Sequence, residues 1–571
     1  MTAKWLKRNI PILSWLPTYN RSWLPKDTMA GLTVWGVIIP TSMAYAGVAG
    51  LPPQFGLYTL VVTLLLYAVL GTSRQMCVAP TSATAALVAS SVIGIMVATG
   101  AATNALQIDP AAYQQHAAAL AMVVGLLFLI AGIARLGFIT QFLSRPVMDG
   151  FVTGLAVFVM VGQLYKLFGL EKPAGNTVQK LFTVLSELPD ANWATLAVGA
   201  AALALLILMP RWNRKIPAGL VVVFGSIALS SALRLNASYG VNVVGALPQG
   251  IPSFSMPVVP LESLPHMIGP AIGILLVSFS QSLGVAHEYA DEHGYEIDAN
   301  KELNAFGVIN GAAGLFSGQV AGGGMAPSAV NDKAGGRTQV SALVAWTAVI
   351  ITLLFFTPVF SSLPEAVLAA VVIHALWHTV VARKLKDVRL ESRTEFVLGV
   401  LTFVGVLTVG VLQGMLIGLV GALLAIILRS SRPHLSRLGR VPNIPGAYSD
   451  MIQHPENVPV PGVYIVRLDA PIYYANALTV RDRLVQMLSE EDEPLKVVLF
   501  DAAVQSGLDI TSSDMLKKLI KQLHNQGLVT YFAEVQEPVL EFSARTGLLD
   551  VIGKDNVFST VEEAVNYIET L

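Results

Sequence analysis

The sequence predicts a polytopic all-α membrane domain followed by a small α/β domain. Fourteen spans are expected, as a seven-plus-seven inverted repeat in which two spans are half-helices. Three observations carry this reading. The 571 residues are 54% hydrophobic and 13% charged, with a mean hydropathy of +0.62, a composition suited to crossing a bilayer many times. Near residue 432 the composition shifts: apolar stretches of bilayer length recur before it, and charges with strand-length apolar runs follow it. Two proline-interrupted stretches, 78–84 and 319–332, lie inside apolar regions at matching places in the two halves, which points to a binding site built on an inverted repeat.

Taken in order, residues 1–27 carry Lys4, Lys7, Arg8, Arg21 and Lys26 between Trp and Pro and show no cleavable signal pattern. They read as a cytosolic lead-in along the membrane interface. The membrane domain, 28–432, holds a first set of spans at 29–48, 53–71, 76–98, 113–134, 145–167, 191–210 and 216–234. A second set lies at 265–289, 302–318, 321–338, 340–358, 363–381, 393–410 and 411–430. Residues 177–188 are amphipathic, and the polar stretch 235–264 joins the halves. With the N-terminus inside, the inner loops carry Arg74, Arg135, Arg145, Arg211, Arg214, Lys215, Arg383, Lys384, Lys386, Arg389 and Arg393, and the outer loops far fewer basic residues. An even number of spans returns the C-terminus to the cytosol. This predicts a multi-pass protein of the cell inner membrane with both termini cytosolic. Residues 433–445 read as a linker. In 446–571, strands at 463–468, 497–500 and 529–533 alternate with helices at 477–488, 514–525, 537–546 and 561–567, the mark of a largely parallel sheet. The single cysteine, Cys77, excludes an internal disulfide framework and a thiolate metal cluster. No catalytic constellation, cofactor or metal site is expected, and a net charge of −1 gives no reason to expect a nucleic-acid partner.

The run Gln319-Val-Ala-Gly-Gly-Gly-Met-Ala-Pro-Ser-Ala-Val-Asn-Asp332 organises the chain. Three glycines and a proline oppose a continuous helix, and freed backbone groups in a membrane must line a cavity or be buried in protein. A helix restarting after Pro327 would aim the N–H groups of Ser328, Ala329 and Val330 at whatever lies before them, an anion site by backbone geometry. Ala79-Pro80-Thr81 matches Ala326-Pro327-Ser328. Two helix N-termini facing one cavity supply about one positive charge. Thr81, Ser82, Thr84 and Ser328 offer hydroxyls, as donors or as caps, and Gly322, Gly323 and Gly324 would let a ligand approach the backbone.

Further motifs run the length of the chain: Ala49-Gly-Leu-Pro-Pro-Gln-Phe-Gly-Leu-Tyr58, Gly71-Thr-Ser-Arg-Gln75, Arg145-Pro-Val-Met-Asp-Gly-Phe151, Asp298-Ala-Asn-Lys-Glu302, Ser328-Ala-Val-Asn-Asp332 and Ala334-Gly-Gly-Arg-Thr338. On these the chain resembles the sulfate permease (SulP) family, and its C-terminal part resembles that family's STAS domain through Asp469-Ala-Pro-Ile-Tyr-Tyr-Ala-Asn476. The resemblance implies core and gate domains, an anion between the N-termini of the third and tenth spans, and a homodimer. Three positions depart from the family pattern: Pro327 where many members carry arginine, Thr41 where many carry glutamine, and Gln281 where proton-coupled members carry glutamate. The candidate substrate contacts are therefore Thr41, Thr81, Ser82, Ala83, Thr84, Gln281, Ala326, Ser328 and Ala329. Thr511-Ser-Ser-Asp514 lies where related domains carry a phosphorylated serine, and reads as a helix cap or a regulatory site.

The expected function is a secondary transporter or exchanger of small inorganic anions, sulfate first, with bicarbonate or chloride close behind, working by alternating access. Its partners would be the anion, the lipid bilayer, a second copy of the chain and a possible cytosolic partner of the STAS domain. A nucleobase carrier of the same architecture is one rival, although Gln281 offers only an amide where such a site usually needs a carboxylate. A membrane-anchored signalling protein worked by its STAS domain is the other.

Overall fold

A computed structural model of the chain describes residues 10–101, 109–138, 144–212, 218–377, 389–491 and 493–571. The chain divides into two compact units, Met1–Ala422 and Leu423–Leu571.

Every expected membrane segment holds a helix. In the first half these are α1 (Leu24–Val48), α2 (Pro53–Leu70), α3 (Ser82–Ala98), α4 (Pro110–Ile133), α5 (Arg145–Phe168), α6 (Trp193–Trp212) and α7 (Ala218–Leu233). In the second they are α8 (Ser263–His293), α9 (Ala299–Leu315), α10 (Met325–Lys333), α11 (Val340–Ile351), α12 (Glu365–Trp377), α13 (Arg393–Thr408) and α14 (Val411–Ser430). A π-helical stretch, Thr352–Phe356, carries α11 on into a last turn, Thr357–Phe360. Eight of these helices, α1, α2, α4, α5, α6, α8, α11 with its continuation, and α14, are long and apolar enough to cross a membrane. The end of the twelfth expected span and the basic residues Arg214, Lys215, Arg383, Lys384 and Lys386 lie outside the described residues.

Helix starts follow local chemistry. Asp109 caps α4 by accepting from the N–H groups of Ala111 and Ala112, each at 3.2 Å, with Pro110 in the first helical position, where its missing N–H costs nothing. The buried core of the membrane unit is drawn mainly from α1–α4, α8 and α12. By contrast α6 and α14 expose Leu208, Leu424 and Ile427, as surfaces against lipid do.

The stretches before α3 and α10 are not helical. β1 (Cys77–Ala79) and β2 (Gly322–Gly324) pair as an antiparallel ladder, with Cys77 opposite Gly324, Val78 opposite Gly323 and Ala79 opposite Gly322. One segment from each half of the chain thus meets at its broken point, with its backbone paired to the other.

The second unit is a six-stranded sheet in the order β4–β3–β5–β6–β7–β8. Its strands are β3 (Leu435–Arg440), β4 (Tyr448–Asp450), β5 (Val463–Leu468), β6 (Val497–Asp501), β7 (Val529–Ala533) and β8 (Val557–Phe558). Strands β5 to β8 are parallel, and β3 runs antiparallel to β4 and β5. Helices α15 (Ala477–Ser489), α16 (Ile510–Asn525), α17 (Glu537–Thr546) and α18 (Val561–Glu569) cover it, with one core around Leu484, Phe500, Leu519 and Phe532 and another around Ile465, Leu499, Tyr531 and Val565. The stretch expected as a linker holds β3. Its sequence Leu-Ser-Arg-Leu-Gly-Arg has no β-branched residue, so pairing with β4 and β5, rather than propensity, makes it a strand. At the start of α16, Asp509 is the cap and accepts from Ser512 N–H at 2.7 Å. Ser512 and Ser513 are buried, and Ser513 donates to Thr546. A phosphate on either would have to break that packing.

Candidate functional site

The ladder fixes where the two following helices begin. Because it is antiparallel, α3 leaves from its Ala79–Gly322 end and α10 from its Cys77–Gly324 end. The two helix N-termini therefore sit at opposite ends of a ladder about 7 Å long.

The ladder is held from three sides. From α8, Ser282 Oγ accepts from Gly323 N–H at 2.7 Å and donates to the carbonyl of Ser278 at 2.5 Å, while Ser278 Oγ donates to the carbonyl of Ala321 at 3.4 Å. From α2, Thr63 Oγ1 donates to the carbonyl of Val78 at 2.8 Å. From α9, the Asn310 amide bonds both the N–H and the carbonyl of Ala321, at 2.8 and 3.3 Å. At two of these positions any side chain would force its neighbours to move. A Cβ on Gly322 would lie 2.7 Å from Ser278 Oγ, and one on Gly323 would lie 2.5 Å from Met76 Sδ and 3.0 Å from Ser282 Cα. The space beside these glycines is thus filled by protein, where the sequence suggested ligand access.

At α3, Thr81 and Thr84 form a capping box. Thr84 N–H donates to Thr81 Oγ1 at 3.2 Å, and Thr81 N–H to Thr84 Oγ1 at 3.0 Å. Both hydroxyls are spent on the helix end. The N–H groups of Ser82 and Ala83 have no carbonyl one turn back. Ser82 is half-buried and Ala83 buried.

At α10 the helix begins at Met325, with Gly324 in the cap position and no side-chain cap. This corrects the expectation that it starts after Pro327. A proline is tolerated in a first turn because its position needs no N–H, so Pro327 becomes the third residue. The donors without a carbonyl one turn back are then those of Met325 and Ala326, both exposed. Ser328 and Ala329 lie within the helix, where their N–H groups are not part of the open end. Ser328 has another task. Its buried Oγ accepts from Cys77 N–H at 2.9 Å and donates to the carbonyl of Gly324 at 2.6 Å, so it fastens α10 to both strands.

The remaining candidates come from neighbouring helices. α1 packs against α3 and α10, and α8 against α3, α10 and β2. Thr41 is half-buried on α1, just after Pro40, and returns its hydroxyl to the carbonyl of Val37 at 2.8 Å. Gln281 is half-buried on α8 between Ser278 and Ser282, and its amide has no hydrogen-bond partner among the described residues. Ser280 Oγ beside it is buried, also without a partner among them.

Two buried carboxylates had no role assigned from the sequence. Asp27, in the first turn of α1, accepts from the N–H groups of Arg337 and Thr338 at 2.6 and 3.2 Å, from Thr338 Oγ1 at 2.8 Å and from Tyr19 at 3.0 Å. Glu302, in the first turn of α9, accepts from the N–H and hydroxyl of Thr72, each at 2.6 Å, and from Tyr67 at 3.1 Å. Each lies near a helix N-terminus, where a negative charge is favoured. Gln339 Nε2 holds the carbonyls of Ser73 and Met76 at 2.8 and 2.9 Å, and Asn331 Nδ2 holds that of Gln75 at 2.9 Å. The loop that launches β1 is therefore bound to α9, α10 and the start of α11. A polar cavity of about 460 Å³ is lined by Trp15, Thr72, Arg74, Tyr295, Glu296 and Lys301 among others and by no residue of the ladder.

These features define a many-helix membrane protein with two opposed strand–helix elements at its centre and a separate α/β unit. The sulfate permease family model matches residues 24–402 and the STAS domain model residues 454–564. The chain belongs to the sulfate permease family. It is 35% identical over 547 residues to the probable sulfate transporter MT1781 of Mycobacterium tuberculosis, covering 96% of each chain. Its fold matches the murine Solute Carrier 26 family member A9 anion transporter in the inward-facing state, with a TM-score of 0.91 and 24% identity over 100% of this chain and 96% of that one. It also matches the transmembrane domain of the cyanobacterial bicarbonate transporter BicA, with a TM-score of 0.60 and 20% identity over 71% of this chain and 98% of that one. The family is one of anion transporters rather than enzymes.

Proposed function

We propose that this chain is a secondary transporter or exchanger of small inorganic anions, sulfate first, working by alternating access as a homodimer in the cell inner membrane with both termini cytosolic. The observation that carries the reading is the pair of helix N-termini at opposite ends of one ladder, each with two backbone N–H groups that the helix cannot use. Taking a monovalent anion out of water costs several kcal/mol. Two such ends offer roughly half a positive charge each, together enough to offset one unit of negative charge without a fixed lysine or arginine, so the second charge of sulfate would fall to neutral donors such as the Gln281 amide. The proposed contacts are the N–H groups of Ser82, Ala83, Met325 and Ala326, with Gln281 and Thr41 at the rim. Sulfate stands first because the similar Mycobacterium protein is named a probable sulfate transporter, and bicarbonate follows from the name of BicA.

The test is a proteoliposome flux panel with labelled sulfate, bicarbonate, chloride and uracil. The reading expects saturable movement of at least one inorganic anion and none of uracil. Uracil uptake with no anion movement would overturn it.

A further inference from the structure

At the ends of α8 and α10 remote from the ladder lies a side-chain cluster that the anion reading does not use. His293 is the last residue of α8, and Asp332 is in the last turn of α10. His293 Nε2 lies 2.6 Å from Asp332 Oδ1. A carboxylate oxygen of Glu292 completes the group, and one ligand atom from each of the three residues lies within 4.8 Å of the others. Glu292 is exposed, while His293 and Asp332 are half-buried, so the group is reachable from solvent and partly shaped by packing.

We infer that Glu292, His293 and Asp332 form a binding site for a divalent transition-metal ion, with zinc the best match. Three physical arguments converge. The ligand set, one imidazole and two carboxylates, suits Zn²⁺ and leaves a coordination position for water. The separations allow closure: ligand atoms around a tetrahedral zinc at about 2.0–2.2 Å stand about 3.5 Å apart, which exposed Glu292 reaches by changing rotamer and which His293 and Asp332 reach by parting about 0.9 Å and exchanging their hydrogen bond for the ion. The field also favours a cation, since two helix C-termini, each carrying roughly half a negative charge, meet there. Glu288 and Asp291 add further negative charge nearby in sequence, against the exposed cations Lys333 and Arg337.

The site would fasten the two helices that frame the ladder. From Ser282 to His293 along α8, and from Met325 to Asp332 along α10, is about 10 to 16 Å, so an ion here would brace both helices at a distance from the anion. The inference does not depend on which anion is carried.

The test uses the purified full-length chain, stripped with EDTA and titrated with zinc chloride against a chromophoric zinc indicator. Melting is recorded with and without metal. The native chain is expected to take up a tight zinc that raises its melting temperature. His293→Ala and Glu292→Gln are each expected to weaken that zinc at least about tenfold. Glu292→Gln leaves the His293–Asp332 hydrogen bond in place, so it separates metal loss from helix loosening: its melting temperature without metal should equal that of the native chain. Native protein that takes up no tight zinc, or folded variants that bind it as the native chain does, would overturn the inference.

Discussion

At the α3 end of the ladder, Thr81 and Thr84 cap each other and leave two backbone donors in a largely buried setting. At the α10 end, glycine opens the helix without a side-chain cap, the donors of Met325 and Ala326 are exposed, and the nearby hydroxyl, Ser328, is turned inward to hold the strands together. The first end is finished by its own side chains, the second by contact with the rest of the protein. The same local motif, Ala-Pro followed by a hydroxyl, therefore does different work in the two halves. An anion between them would meet one rigid end and one whose shape depends on β1 and α8.

If that asymmetry is right, damage to the β2 side should exceed damage to the β1 side. The largest effect is expected at Gly323. A valine there must displace Met76 and Ser282, at a cost of about 3 kcal/mol or more. Little folded protein should then be recovered by size-exclusion chromatography. Cys77→Ala on the opposing strand removes only a buried thiol and should yield near-native amounts. Equal yields from the two variants would break the comparison.

A smaller contrast lies in the hydroxyls. Ser328→Ala strands the buried Cys77 N–H, while the Gly324 carbonyl keeps its helix bond from the residue 328 N–H, and should cost about 2–3 kcal/mol. Thr84→Ala loses one capping interaction and should cost about 1 kcal/mol. Thermal melting of the two variants in detergent checks the order, and a larger loss at Thr84 would reverse the assignment of rigid and dependent ends.

The smallest structural effect is expected at Gln281. The amide has no titratable proton, so native flux should not follow an imposed pH gradient through this position. Gln281→Glu should melt as the native protein does and gain that dependence. Native uptake already driven by inward protons would show that another group does the coupling.

Much of this arrangement was legible in the residues, and what escaped did so for physical reasons. Proline, glycine and hydrophobic length placed the fourteen segments and both broken points, because these act locally on the backbone. The start of α10 was misplaced by three residues, since a proline can occupy a first turn without opening it and Pro327 was taken as the opening. The role of the glycines was misread because their neighbours, Ser278, Ser282 and Met76, are distant in sequence. Asp27 and Glu302 escaped for the same reason: each meets its backbone partners across more than two hundred residues, and nothing local marks a carboxylate as a clamp. β3 was missed because its strand character comes from its partners.

The central claim is that backbone N–H groups from both helix ends hold the anion, and proline can remove one donor at a time. Ser82 is the first residue of α3 and Met325 the first of α10, and both are preceded by extended backbone, Thr81 at φ −115° and ψ 163° and Gly324 at φ −80° and ψ 113°. Proline fits a first helical position after such a residue, so Ser82→Pro and Met325→Pro should fold and melt as the native protein does. A hydrogen bond to a charged group contributes about 1.5–3 kcal/mol. Each variant should therefore bind the anion identified in the flux panel about tenfold or more weakly, measured as Kd on purified protein. Folded variants that both bind it with native affinity would contradict the account.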